Sequence, residues 1–84
     1  MLINNNEIKF QPSLKAILDI FNQNQNEYVN TLDFLRAGVL SPAAGIAKLK
    51  NQGAIIVTVL RSVTDATGTF HKNIAHYKLV GWSL

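Results

Sequence analysis

Apolar residues recur at helical spacing near the start of the chain. Residues 14–22 have their apolar side chains at intervals of three, one and three, at Leu14, Ile17, Leu18 and Phe21. This spacing places the four side chains on one stripe and predicts a helix with one buried face. Ser13, which follows Pro12, is the expected N-cap. The helix should form the first wall of a small core.

A second helical pattern runs from Thr31 to Gly53 and predicts two short helices joined by a tight turn. The first helix should begin with Thr31 as its N-cap and end at Gly38. Its expected inward side chains are Leu32 and Leu35, with Phe34 as a further candidate. The second helix should begin with Ser41 as its N-cap and with Pro42 at its first position, where the missing N–H breaks no hydrogen bond. Gly53 should lie just past its end in the left-handed conformation.

The second helix of this pair has two different faces. Its apolar stripe is expected to hold Pro42, Ala43, Ile46 and Leu49. The opposite face carries Ser41, Ala44, Lys48 and Asn51, with Ala47 and Gln52 at its edges. No acidic residue occurs between positions 41 and 53, so this face is small at its start and polar or basic beyond. Such a face favours close approach to phosphate, although helical hairpins with a glycine turn also occur in domains that bind no DNA.

A strand pattern follows the helical pair. Residues 54–63, AIIVTVLRSV, are rich in β-branched side chains and lack helical spacing, so they predict a β-strand. Asp65 and Gly68 suit the tight reversal expected in residues 64–68, TDATG.

The chain should then return as an antiparallel strand over residues 69–82. Tyr77 and Leu79 are in phase with each other and are expected to face the core. The outer face should then carry Lys72, His76 and Lys78. This strand is expected to lose order near Gly81 and Trp82.

Three helices followed by a two-stranded antiparallel β-hairpin form the winged helix arrangement, an α+β fold. A lone hairpin is marginal in water, and packing against helices stabilises it. The winged helix-turn-helix domain is expected to span residues 13–84, with residues 64–72 as the wing.

The remaining segments predict an arm and a loop. Residues 1–12 are expected to form a mostly irregular N-terminal arm, although residues 8–10 could instead form a short strand. Residues 22–30 are rich in amide side chains and predict a loop, from which Tyr28 and Val29 turn inward as a short extended segment.

Composition supports one folded domain. The chain has 84 residues, of which 48% are hydrophobic and 15% charged, which is typical of a globule rather than of a disordered tail. The longest apolar run, residues 54–60, is too short to span a membrane and is interrupted by Thr58. The N-terminus lacks the order of a signal peptide, so we expect a cytoplasmic protein without membrane association.

Charge is distributed unevenly along the chain. The formal net charge is +3, but residues 1–35 carry −2 and residues 36–84 carry +5, with Asp65 as the one acid of the second part. A local positive field attracts and holds phosphate, so the distribution favours a polyanionic partner.

The sequence gives little indication of catalytic activity. The chain has no cysteine, and its two histidines, His71 and His76, have no acidic residue near them in sequence except Asp65. A zinc site would therefore lack ligands, and no glycine-rich phosphate loop occurs. We expect no enzymatic activity, no metal and no cofactor, and both histidines should be surface residues of the strand.

A set of structural positions resembles a known family. A proline that opens a helix, an Ile-x-x-Leu pair, a glycine, an isoleucine in the first strand and a closing Tyr-x-Leu occur in order at Pro42, Ile46, Leu49, Gly53, Ile56, Tyr77 and Leu79. Over residues 13–80 the chain resembles small helix-turn-helix proteins encoded by phages, prophages and plasmids. The resemblance implies a DNA-binding winged helix, and it bears more on fold than on function. Such proteins often carry an arginine where this chain has Ala43, Ala44 and Gly45, which argues against strong base readout.

Two functions remain open from the sequence. The first is a DNA-binding regulator or accessory factor of a phage or other mobile element, with the second helix of the pair in the major groove and the wing on the backbone or minor groove. Its candidate contacts with double-stranded DNA are Ser41, Ala44, Lys48, Asn51, Gln52, Arg61, His71 and Lys72. Asn51 could pair with adenine and Lys48 with guanine. The second function is a protein-interaction or inhibitor module on the same scaffold.

A homodimer is expected for the first function, because one module with about five phosphate contacts binds weakly at physiological salt. Val80, Trp82 and Leu84 form an apolar tail that would suit self-association. Phe70, beside the hairpin turn, could wedge on DNA, contact a partner chain or fold back on the sheet.

Overall fold

Three helices and one antiparallel sheet make up the part of the fold that the structure describes. The computed structural model describes residues 12–83. The elements are α1 (Pro12–Gln23), β1 (Val29–Asn30), α2 (Thr31–Arg36), α3 (Pro42–Asn51), β2 (Ala54–Thr64) and β3 (Phe70–Trp82). The sheet order is β1-β3-β2, so the predicted hairpin of β2 and β3 is joined by a short third strand. The predicted α+β winged helix-turn-helix is confirmed, and the inward segment at Val29 is the added strand.

The core lies between the three helices and the inner half of the sheet. Its largest fully buried side chains come from all three helices: Leu14, Ile17, Phe34 and Leu49. Phe34 is central, because its ring lies edge-on to Phe21 at 5.5 Å and to Tyr77 of β3 at 6.1 Å between centroids. Aromatic pairs in this geometry stabilise a core beyond the area they bury.

Helix α1 has the predicted stripe but different bounds. Leu14, Ile17 and Phe21 are buried, as the spacing predicted. The helix already includes Ser13, so the prediction of Ser13 as its N-cap is wrong. The expected arm of residues 1–12, with its alternative strand at residues 8–10, lies outside the described residues except for Pro12, which belongs to α1.

Helix α2 begins at Thr31, so its N-cap lies one residue earlier than predicted. Asn30, not Thr31, is the N-cap: its Oδ1 accepts from the Asp33 amide at 2.9 Å, and Asp33 Oδ2 accepts from the Asn30 amide at 3.1 Å. This reciprocal pair is a capping box. The Thr31 hydroxyl instead donates to the Ala75 carbonyl at 3.3 Å, which ties the helix to β3.

The inward residue of α2 also differs from the prediction. Phe34 is fully buried, whereas Leu35 is 43% exposed and Leu32 is half-buried. The end of the helix explains this choice, because the Val39 amide donates to the Phe34 carbonyl and the Gly38 amide to the Leu35 carbonyl. With Gly38 at φ +93°, this is a Schellman motif, which brings Val39 and Phe34 together in the core.

Helix α3 begins and ends where the sequence predicted. Ser41 is the N-cap and Pro42 follows it, although the Ser41 side chain makes no capping hydrogen bond. The buried face is Pro42, Gly45, Ile46 and Leu49, while Ala43 is exposed, contrary to the prediction. Gly45 is buried instead of Ala43. A side chain at Gly45 would overlap the δ-methyl of Ile17, so the absence of one lets α3 approach α1.

The end of β3 is ordered, in contrast to the prediction. Gly53 has φ +105°, as expected past a helix end, and its carbonyl accepts from the Ser83 amide at 2.6 Å. Trp82 pairs with Ala54 at the start of β2 and packs against the core. Trp82 is therefore part of the sheet rather than of a free tail.

Alternation gives the sheet one face toward the helices and one outer face. Ile56, Tyr77 and Val29 are buried on the helix side. The outer face carries side chains from all three strands: Asn30, Ile55, Val57, Val59, Arg61, Ile74, His76 and Lys78.

His76 has the predicted face but not the predicted exposure. It is only 8% exposed, so the prediction of a surface histidine is wrong at this position. Its ring Nδ1–H donates to the Ile74 carbonyl at 2.8 Å, and its cross-strand partners Asn30 and Val59 flank it. Lys78, predicted on the same outer face, is half-buried.

The distal half of β2 is exposed on the side that faces the helices. On the helix side of β2, Ile56 is buried, but Leu60 is 64% exposed. Thr58, Ser62 and Thr64, on the same side, are exposed as well. The described part of the molecule accordingly measures 41 × 21 × 20 Å.

Candidate nucleic-acid interface

The exposed face of α3 is small at its start and basic at its end. The exposed residues in and before the helix are Ser41, Ala43, Ala44, Ala47, Lys48, Lys50 and Asn51. The helix has no acidic residue, and Lys48 and Lys50 lie in its last turn. Cations there are favoured by the helix dipole, and long side chains at this end can reach outward from the domain.

An open groove runs along one side of this face. Ser41, Ala44 and Lys48 line it together with Ala16 of α1 and Leu40 of the turn. Three of the residues predicted from sequence therefore share one surface. Since Ala44 and the neighbouring Ala43 are short, a ligand can approach the first turn of α3 closely.

Asn51 and Gln52 differ in accessibility although they are neighbours. Asn51 is exposed at the end of α3, whereas Gln52 is the half-buried C-cap. The side-chain oxygen of Gln52 is buried, and it has no hydrogen-bond partner among the described residues. Of the two amide side chains predicted from sequence, Asn51 is the more exposed.

The turn of the wing is organised by Asp65. Its Oδ1 accepts from the Thr67 amide at 2.9 Å, the Thr67 hydroxyl at 2.6 Å and the Thr69 amide at 3.0 Å. Its Oδ2 accepts from the His71 ring Nε2–H at 2.8 Å. The Thr67 hydroxyl, followed by the His71 ring and the Thr69 amide, holds the pKa of the Asp65 carboxyl well below its usual range.

A bulge in β3 accompanies this arrangement. The pairing of Arg61 with Ile74 and of Val63 with His71 leaves an extra residue in β3, and Asn73 has a positive φ of 54°. Bulges change the direction of neighbouring side chains. The bulge lies close to the His71 position, where the ring meets Asp65.

The tip of the wing lies beside α2. Asp65, Ala66 and Thr67 line a shallow cleft with Leu32 and Arg36. Arg36 is exposed in the last turn of α2 and adds a cation next to the wing. Sequence reasoning used Arg36 only as part of the net charge; its place in the last turn of the first helix of the pair was the available signal.

Two further wing side chains are open to solvent. Lys72 is exposed. Phe70 is 59% exposed and pairs with Thr64 at the base of the turn. More than half of its surface is therefore free for a contact with a ligand or a partner chain.

Arg61 is separated from α3 by the sheet. It lies on the outer face, with its guanidinium carbon 5.0 Å from the centroid of the Tyr28 ring. Lys78 Nζ lies 5.5 Å from the same centroid. Both contacts are cation–π interactions. The structure therefore brings together Ser41, Ala44 and Lys48 but places Arg61 on the opposite side of the sheet.

Metal-ligand clusters and membrane-spanning helices are both absent from the described part of the chain. Among residues 12–83, no three His, Cys, Asp or Glu side chains cluster as metal ligands would. No helix in this range is long and apolar enough to cross a membrane.

The family follows from a comparison with known proteins. A family model described as a winged helix-turn-helix domain matches residues 14–81, which is most of the chain. No curated protein and no solved structure gives a significant match. Winged helix-turn-helix domains typically bind DNA without catalysing a reaction. The helices and the sheet of this chain agree with the matched family model, and the chain belongs to the winged helix-turn-helix family.

Proposed function

We propose that this protein is a cytoplasmic DNA-binding regulator or accessory factor of a phage or other mobile element, which acts as a homodimer on double-stranded DNA. In this proposal α3 enters the major groove and the wing contacts the backbone or the minor groove. The observation that carries it is the exposed face of α3, which has two lysines in its last turn and no acidic residue.

Phosphate contacts should supply most of the affinity. Lys48 on α3, Lys72 on the wing and Ser41 before α3 are the proposed contacts, and Arg36 beside the wing tip extends the same set. His71 is a weaker candidate because its Nε2–H is already donated to Asp65. Arg61 becomes a contact only for DNA that reaches the outer face of the sheet.

Base readout should be limited to the end of α3. Residues 42–47 of α3 expose only Ala43, Ala44 and Ala47, which have no polar side-chain atoms. Asn51 and Lys48 are the proposed base contacts, to adenine and guanine respectively. Gln52 is a poorer candidate than Asn51, since its side-chain oxygen is buried. We therefore expect modest sequence preference on top of salt-dependent affinity.

The test is fluorescence anisotropy of a labelled random-sequence duplex, titrated with protein at several salt concentrations. Lys48→Ala and Lys72→Ala should each weaken binding and reduce the salt slope by about one, as the loss of one phosphate contact requires. The double variant should show both reductions.

Lys78→Ala is the matched control. It removes the same charge from the outer face of the sheet, away from α3. Equal losses in Lys48→Ala and Lys78→Ala would mean that only net charge matters, which contradicts the proposed interface. No binding of the unaltered protein at low salt would reject DNA binding altogether.

A protein-interaction or inhibitor module is the second candidate, and one observation favours it. Leu40, in the turn between α2 and α3, is 85% exposed beside the uncharged start of α3. A large apolar side chain at that place suits a protein partner better than it suits phosphate. The salt titration separates the two candidates, because a chain that binds no duplex at low salt would favour the protein-interaction module.

A further inference from the structure

We propose that β2 is the dimer interface of this protein, through antiparallel pairing of its outer edge with β2 of a second copy. The two-fold axis would lie within residues 57–60. The inference rests on the proposed function, because that function requires a dimer. In this proposal β2 is the self-association surface, instead of the apolar tail expected from the sequence.

Strand β2 is a long strand at the edge of the sheet. It has 11 residues and pairs with β3 on one side, and no strand of residues 12–83 pairs with its other side. The opposite edge of the sheet is β1, which has only two residues. An edge strand presents unpaired N–H and C=O groups that can pair with a further strand.

The usual protections of an edge are missing from β2. From Ala54 to Leu60 it has no charged residue, no proline and no glycine. Both register shifts of the hairpin place the extra residue in β3, so β2 itself is not interrupted by a bulge. Natural edge strands commonly carry lysine, proline or a bulge that prevents pairing. The first charge along β2 is Arg61, whose guanidinium lies over Tyr28.

A second strand would meet no helix beside the middle of β2. Val57, on the outer face, is 40% exposed, and Leu60, on the helix side, is 64% exposed. Thr58, also on the helix side, is exposed too. The helices cover β2 only as far as Ile56. The strand is therefore open at Val57 on one face and at Thr58 and Leu60 on the other, and Val59 is half-buried.

A second copy of β2 is the occupant that this segment suits. A two-fold axis perpendicular to the sheet pairs only residues of the same face. An axis at Thr58 therefore sets Thr58 against Thr58 of the other copy and Val57 against Val59, and an axis at Val59 sets Val59 against Val59 and Thr58 against Leu60. β-Branched cross-strand pairs stabilise a sheet, and no like charges face each other in this segment. Such an interface is self-complementary, as a two-fold dimer requires.

The test is sedimentation of the full chain, with Val57→Lys and Val80→Lys beside it. Val80 is exposed on β3, at the extra residue opposite Ile55 and Ile56, so its substitution adds the same charge away from the β2 edge. We expect the unaltered chain and Val80→Lys to sediment as dimers and Val57→Lys as a monomer. A monomeric unaltered chain, or a dimeric Val57→Lys, overturns the proposal.

Amide hydrogen exchange of the unaltered chain provides a measurement that does not depend on a variant. On dilution to monomer, the β2 amides that are not bonded to β3 should lose protection, while those bonded to β3 keep it. Dilution that leaves the outward amides unchanged, or that deprotects both sets alike, overturns pairing through this edge.

Duplex binding separates this inference from the function on which it rests. Val57→Lys should retain a salt-dependent attraction to DNA but bind more weakly than Val80→Lys, since each monomer carries one α3. A dimer that pairs through β2 but binds no duplex would reject the function and keep the interface. A chain that binds duplex tightly as a monomer would keep the function and reject the interface.

Discussion

At the scale of single residues, two glycines of the helix pair are required for different physical reasons. Gly38 has φ +93° in the Schellman motif, with open space where a side chain would be. Gly45 lies inside α3 with ordinary helical backbone, and a side chain there would overlap the δ-methyl of Ile17. Substitution at Gly38 therefore strains the backbone, whereas substitution at Gly45 strains the packing of α3 against α1.

Gly45→Ala should lower the free energy of unfolding, and Ile17→Val should compensate for it. Overpacking costs about 1–3 kcal/mol, while alanine in place of glycine contributes about 1 kcal/mol of helix propensity, so a net loss of about 1 kcal/mol is expected. Ile17→Val removes the overlapping methyl and should cost about 1 kcal/mol in the unaltered protein. In the Gly45→Ala background it should cost less or even stabilise, as measured by urea denaturation of the four proteins of the cycle.

Gly38→Ala is the control for this cycle. It should destabilise by about 1 kcal/mol through its left-handed backbone, and Ile17→Val should not compensate for it. Additive costs of Ile17→Val and Gly45→Ala would contradict the proposed contact between α1 and α3.

Predictions for single residues were correct where local sequence determines the structure and wrong where tertiary contacts determine it. The stripe of α1 and the left-handed Gly53 follow from periodicity and from helix-end chemistry, and both were predicted. The spacing of a six-residue helix could not show that Phe34 rather than Leu35 is buried. The Schellman motif and the contacts of Phe34 with Phe21 and Tyr77 determine which residue faces the core.

At the scale of elements, the wing turn is organised around one carboxylate. Asp65 accepts from the amides of Thr67 and Thr69 through one oxygen and from His71 through the other. Sequence predicted the reversal from Asp65 and Gly68, and it placed His71 on the wing. It did not predict the hydrogen bond between His71 and Asp65, which accompanies a bulge at Asn73 that no local pattern indicates.

Acid should release the wing turn only well below the usual pKa of an aspartate. The folded-state pKa of Asp65 is lowered, so its stabilising contribution is present above the unfolded pKa, about 3.9, and is lost as the pH falls through the folded value. The amide chemical shifts of Thr67 and Thr69, followed by NMR on acidification, should therefore change at a pH below the ordinary aspartate range.

Two variants test this assignment. Asp65→Asn keeps an oxygen that can accept from both threonine amides, so it should preserve their shifts and abolish their acid transition. Asp65→Ala should lose the turn at every pH. An acid transition in the usual aspartate range, or one that persists in Asp65→Asn, would contradict the role given to the carboxylate.

At the scale of the whole molecule, the sheet is supported unevenly along its length. Its inner half is held by the helices through Ile56 and Tyr77, and by the Ser83–Gly53 hydrogen bond at its end. Its distal half, beyond Leu60, has no fully buried side chain on either face among the described residues. The sequence predicted helices and hairpin in the correct order, but not that the distal half of the hairpin buries no side chain, because strand patterning does not encode what packs on a strand.

Hydrogen exchange should therefore divide β3 into two parts. At a concentration where the chain is monomeric, amides of β3 near Tyr77 should exchange only through global unfolding, because they lie over the core. Amides between His71 and Ile74 should exchange through local opening, since their strand has few buried contacts there. The two sets should respond differently to low urea, with only the amides near Tyr77 following the global free energy of unfolding. Equal exchange free energies along β3 would mean that the wing is held by contacts other than those with the core. A wing that opens locally, by contrast, can adjust its conformation to the ligand.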